Sequence, residues 1–289
     1  MSMRNVFNAL IAFALGVMSI LSHAEELSPV TYPLSEVRAI HANSNGKDYE
    51  LYIQLPPSYK ESKKAYPLIV VNDSRFAFPL TSGAMQLMGD RVVQESIVVG
   101  ISYAKGEDIG VSRTRDYTPT YSPKESSAHS DDARAVSGHA KEYVQFIEEQ
   151  VFPLLKAKYR IDISNKIFVG HSFGGLLGSY IVTNKPNLFD HYIIGSPSLW
   201  YDKKVILKME EEYSKHNTDL KAHVLLYVDA DSSGKNSMVT DVLAFEKALR
   251  SRGYKSLRLH AEVLKNENHH SVFPALLSKG LMQSIPLKP

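Results

Sequence analysis

The chain has 289 residues, 44% hydrophobic and 22% charged, with 16 glycines and 14 prolines. This is a globular composition, and it excludes collagen, low-complexity disorder and a coiled coil. With 33 Lys and Arg against 31 Asp and Glu, the net charge is +2, which lacks the basic excess of a nucleic-acid footprint. There is no cysteine, so disulfides, a thiolate nucleophile, Cys-ligated metals and thiol-linked lipids are all excluded.

Residues 1–24 read as an export signal. Arg4 supplies the positive start, Val6 to Leu21 is almost uninterrupted apolar sequence, and Ser22-His23-Ala24 ends on the small residue a signal peptidase prefers. The apolar run is short of the roughly 20 residues of a spanning helix. Cleavage after Ala24 is expected to leave residues 25–289 in the periplasm or the medium without a stable membrane anchor.

Along 25–289, Val37 to His41 and Tyr49 to Leu55 flank Asn45-Gly46 and predict an antiparallel hairpin. The apolar runs at 66–71, 96–101, 166–169 and 223–228 have no polar alternation, so they predict strands buried on both faces in a mostly parallel sheet. Leu257 to Leu264 is a further strand. Helical periodicity covers Gly138 to Tyr159, interrupted at Pro153, with Tyr143, Phe146, Ile147, Val151, Leu154 and Leu155 on one stripe. It also covers Phe173 to Lys185, and Ser237 to Arg252 with Val242, Leu243, Phe245, Ala248 and Leu249 inward. This strand–helix rhythm without a linker predicts one α/β domain. The polar segment 103–137 is expected to be a lid, a binding loop or a disordered excursion.

Gly170-His171-Ser172-Phe173-Gly174 fits G-x-S-x-G between a predicted strand and a predicted helix, the setting of a nucleophile elbow. Gly175 and Gly178 let that helix approach the sheet. A serine hydroxyl needs a base and a group that orients the base, here expected in the chain order serine, acid, histidine. Asp229 and Asp231 follow the strand 223–228, and His269-His270 follows the strand 257–264, so order alone leaves both pairs open. Adjacent histidines suit one metal poorly, and no metal is expected. His171 is read as packing. The oxyanion hole is expected from Phe173 N–H and from the loop Asp73-Ser74-Arg75.

From Val37 to Leu281 the chain resembles the Putative esterase branch of the α/β-hydrolases, which holds enterochelin (siderophore) esterases, esterase D and antigen 85 acyltransferases. The matching blocks are Tyr66 to Asp73 with Phe78, Arg115 to Thr120, Gly170 to Gly175, Gly195 to Trp200, and His269 to Pro274. The resemblance implies a single-domain α/β-hydrolase with no cofactor that cleaves small-molecule carboxylic esters. It implies Ser172 as nucleophile and His269 as base, although His270 stands where the family has Gly. Asp231 is taken as the acid, with Asp229 or a Ser–His dyad as alternatives. Trp200 is expected as a pocket wall, and Arg115 or Arg113 as partners of an acidic substrate group. Acyl transfer through the same acyl-enzyme, or a non-catalytic binding protein on this scaffold, are the other readings.

Overall fold

In the computed structural model, which describes residues 30–125, 130–232 and 237–287, β1 (Ser35–Ala42) pairs antiparallel with β2 (Lys47–Gln54). Gly46 turns the chain between them at φ 68°, as the Asn-Gly pair predicts. β3 (Tyr66–Val71), β4 (Ile97–Ile101), β5 (Ile161–His171), β6 (His191–Gly195), β7 (Ala222–Asp229) and β8 (Leu257–Leu264) complete the sheet in the order β1-β2-β4-β3-β5-β6-β7-β8. From β4 onward every pairing is parallel. Residues Pro33–Pro289 form one compact unit. The expected export signal, residues 1–24, lies outside the described residues.

Continuous apolar strands are needed because both faces are covered. Leu68 and Val70 point into one core, with Tyr143 and Phe146 of α4 (Ala140–Phe146), Leu176 of α6 (Phe173–Asn184) and Phe245 of α8 (Met238–Ser251). Ile69 and Val71 point into the other, with Ala77 and Met85 of α1 (Ser74–Met88) and Leu276 of α9 (Val272–Ser284). The period-two alternation of a strand thus serves two helical layers. α7 (Tyr201–His216) joins the first layer through Val205 and Ile206. Among the described residues, no helix is long and apolar enough to cross a membrane.

The interruption expected near Pro153 is present: α4 passes through a π turn at Ile147–Val151 into α5 (Phe152–Lys158), because Pro153 has no N–H for the ladder and its ring crowds the preceding turn. Two expectations need correction. Leu243 is exposed rather than inward. The described part of 103–137 is not a plain loop, since it holds α2 (Ile109–Tyr117) and the short α3 (Asp131–Ala135). Asp108 caps α2 by accepting from Gly110 and Val111 N–H at 2.8 and 3.2 Å. Arg115, Asp116, Tyr117 and Thr118 are buried. Polar composition suggested a surface excursion, but these polar groups pair with one another and go inside.

Candidate active site

Strand β5 runs into α6 through Ser172, whose backbone sits at φ 59°, ψ −115°. A non-glycine residue there is strained by about 1–3 kcal/mol, and persists only where its surroundings hold it. Three hydrogen bonds do so. Ser172 N–H donates to Gly195 O at 2.9 Å, while Ser172 O accepts from Leu176 N–H at 2.8 Å and from Ser198 N–H at 3.1 Å. Gly170 is required because a Cβ there would fall on the Gly174 carbonyl. A Cβ on Gly178 would lie 2.6 Å from Cε1 of Phe168, so α6 lies as close to the sheet as its glycines permit. Ser172 is half-buried, and its Oγ is 3.5 Å from Ser198 Oγ.

The other candidates gather at the same end of the sheet, beyond the carboxyl ends of β3, β6, β7 and β8, where open α/β sheets bind ligands. Asn268 folds the loop after β8 by accepting from the N–H groups of His270 and Ser271 at 2.9 and 3.0 Å. This presents His269. Its ring packs on that of His171, centroids 4.6 Å apart, which brings His269 alongside the elbow. His270 is exposed. Of the two carboxylates, Asp229 faces His269: its Oδ2 is 3.7 Å from His269 Nδ1, and it is fully buried. Asp231, expected as the acid, is exposed and sits one turn further on, in a 3-10 segment. Asp229 is fixed by Ser196, whose hydroxyl donates to Oδ2 at 2.7 Å and accepts from Asp229 N–H at 3.2 Å.

Burial lowers the proton affinity of His269, and His270 adds to this, while Asp229 pulls the other way. His171 is driven down to about 3, chiefly by burial, so it is a neutral wall against which His269 packs. Among the described residues, His171 Nε2, His269 Nδ1 and Asn72 Nδ2 are buried without a hydrogen-bond partner.

The loop after β3 abuts the elbow, since a Cβ on Gly174 would lie 3.3 Å from Asp73 Oδ2. α1 begins at Ser74, and the N–H groups of Phe76 and Ala77 return to Asp73 O. Those of Ser74 and Arg75 are therefore the first-turn donors directed out of the helix. Arg75 is exposed and, with Ser74, Tyr103 and Lys105, lines a cleft of about 290 Å³. Trp200 stands 6.0 Å from the Phe173 ring and is half-buried. Arg115 does not face this end as a substrate partner. It is 8% exposed and locked to Asp116 at 2.9 Å, to Glu107 and to Tyr49 at 3.3 Å. Among the described residues no group of three or more His, Cys, Asp or Glu is placed to hold a metal ion.

Ser196 and Ser198 were not singled out by the sequence, although Gly195-Ser196-Pro197-Ser198 lay in a matching block. Their small hydroxyls directly after a strand end were the available signal.

A family model described as Putative esterase matches residues 42–270. Ferri-bacillibactin esterase BesA of Bacillus subtilis is 29% identical over 259 residues, covering 87% of this chain and 89% of the relative. The crystal structure of BES protein from Bacillus cereus superposes with a TM-score of 0.77 at 26% identity, covering 91% of this chain and 98% of that one. An IroE-like serine hydrolase from Shewanella oneidensis gives 0.75 at 25% identity, over 86% and 79%.

Proposed function

The chain belongs to the Putative esterase family and is a carboxylic ester hydrolase, and from that premise we propose that Ser172 is its nucleophile, His269 its general base and Asp229 the carboxylate that orients His269. The observation that carries this reading is the strained backbone of Ser172, held by three hydrogen bonds at a strand-to-helix turn. Strain kept by its surroundings is a mark of function.

His269 takes the hydroxyl proton as Ser172 Oγ bonds to the acyl carbon. The imidazolium so formed faces the Asp229 carboxylate, whose 3.7 Å separation shortens as charge appears, since catalytic hydrogen bonds are often long before substrate binds. The tetrahedral oxygen takes N–H groups from Phe173 and from the Ser74–Arg75 turn. Collapse breaks the C–O bond, and His269 returns the proton to the leaving alcohol. Water, deprotonated by His269, then attacks the acyl carbon, the bond to Ser172 Oγ breaks to release the acid, and the proton passes from His269 to Ser172 Oγ. Depressed proton affinity suits this cycle because the base is neutral at neutral pH.

For substrate we propose a siderophore-type ester, supported by the name of the Bacillus subtilis relative and by the aromatic wall of Phe173 and Trp200. Export is part of the same proposal and rests on the sequence of residues 1–24. N-terminal sequencing of the secreted or periplasmic protein should begin at Glu25. The central test is labelling of purified protein by a fluorophosphonate, with hydrolysis of p-nitrophenyl esters and a catecholate trilactone. Wild type is expected to label and turn over, and Ser172→Ala to do neither. An unlabelled wild type, or an active Ser172→Ala, overturns the assignment.

A further inference from the structure

The loop after β3, proposed above to supply an oxyanion donor, also carries a buried carboxylate. Asp73 is 2% exposed, and its Oδ2 lies against the elbow beside Gly174. A bare negative charge there would oppose the negative charge that develops next to Phe173 N–H, and a water-poor site enlarges that repulsion. The chain nevertheless keeps Asp73, in a left-handed conformation at φ 53°, ψ 44°.

Arg113, from α2, meets this carboxylate with a two-pronged pair. Nε is 2.7 Å from Oδ1, and Nη2 is 3.0 Å from Oδ2. The same Nη2 donates to the carbonyl of His171, the residue before the nucleophile, at 3.3 Å. The guanidinium carbon lies 5.3 Å from the centroid of the Phe173 ring, the residue after the nucleophile. Tyr103 OH donates to Asp73 Oδ1 at 2.7 Å, and Asp73 N–H donates to Tyr117 OH at 3.1 Å. One planar group therefore touches both segments that bear the oxyanion donors. A fork of this geometry fixes orientation as well as charge.

We propose that Arg113 is a positioning residue for the oxyanion hole: it clamps the Asp73 loop to the Ser172 elbow and cancels the Asp73 charge beside the developing oxyanion. This rests on the reading of Ser172 as nucleophile. It also gives Arg113 a different task from the acidic-substrate partner expected from sequence, because its Nε and Nη2 donors are already engaged and its side chain is only 15% exposed.

The test uses the full chain and kcat per active site, with active sites counted by fluorophosphonate titration so that misfolded protein drops out. Arg113→Met is expected to lower kcat about 100-fold, as loss of an oxyanion donor does, with KM within about threefold. Adding Asp73→Asn removes the uncompensated charge and should restore about tenfold, although the clamp stays broken. Arg113→Lys, which keeps charge without the fork, should fall between wild type and Arg113→Met. A structural arginine would lower the melting temperature and the count of active sites while leaving kcat per site unchanged. Wild-type kcat per site in Arg113→Met overturns the proposal, and so does a double variant no faster than the single one. If Arg113→Met does not fold, wild-type kcat per site in both Arg113→Lys and the double variant overturns it. Failure of the underlying reading looks different, because Ser172→Ala would then retain activity.

Discussion

Replacing Asp229 with Asn keeps the shape of the side chain and an oxygen that accepts from Ser196 Oγ, but removes the charge that faces His269. At 3.7 Å, two unit charges attract by about 4.5 kcal/mol at an effective dielectric of about 20, and by about 1 kcal/mol at that of water. Asp229 is fully buried while His269 is 33% exposed, so the imidazolium feels a field between these limits. A value of about 2.7 kcal/mol corresponds to a loss of about 100-fold in kcat. Asp231→Asn removes a charge that is already in solvent and should change kcat by less than about twofold. The assay is p-nitrophenyl ester hydrolysis normalised to fluorophosphonate-titrated sites, with melting temperatures recorded alongside. If Asp231→Asn loses more than Asp229→Asn, the geometric choice between the carboxylates is wrong. If both stay within about twofold of wild type, the enzyme works as a Ser–His dyad.

The pH profile provides a second check: because burial and His270 lower the proton affinity of His269 from its ordinary value of 6.5, the acid limb of kcat/KM should have its midpoint under that value. Asp229→Asn should move the midpoint lower still and His270→Ala should move it up; a wild-type midpoint above 6.5 contradicts the assignment. His269→Ala should abolish fluorophosphonate labelling, whereas His270→Ala should label within a few-fold of the wild-type rate, and the reverse pattern would exchange their roles. Arg115→Met strands the buried Asp116 carboxylate and should cost about 3–5 kcal/mol in urea denaturation, while the ratio of KM for anionic and neutral esters stays the same. Gly178→Ala pushes a methyl into Phe168 and should cost about 1–3 kcal/mol, partly recovered in Gly178→Ala/Phe168→Leu; full stability of the single variant would mean that α6 can move away from the sheet.

The features legible in the sequence are those set by contiguous residues. Apolar, β-branched runs such as 66–71 and 223–228, short and bounded by turn residues, read as strands covered on both faces, and Asn45-Gly46 between alternating segments reads as a hairpin turn. G-x-S-x-G needs no distant partner to be recognised, because its glycines mark where neighbouring backbone must pass. The choice between the two candidate carboxylates is different in kind. Asp229 and Asp231 are two residues apart with the same side chain, and only strand pairing separates them. β7 stays in register with β8 as far as Asp229 opposite Leu264, which holds Asp229 inside, whereas the chain turns before Asp231 and releases it to solvent. Arg113 and Arg115 are likewise two apart on one helix. Their fates depend on what α2 packs against: Arg115 meets Asp116, Glu107 and Tyr49, while Arg113 meets Asp73 and the elbow. By itself the sequence determined the hairpin, most strands of the sheet and the strand-to-helix turn at Ser172, because local backbone geometry and burial encode them, whereas the short strand β6 (His191–Gly195) was recognised only in the folded sheet. Which of two like side chains faces the chemistry was decided only by tertiary structure, since that depends on where strands stop pairing and which surface a helix covers.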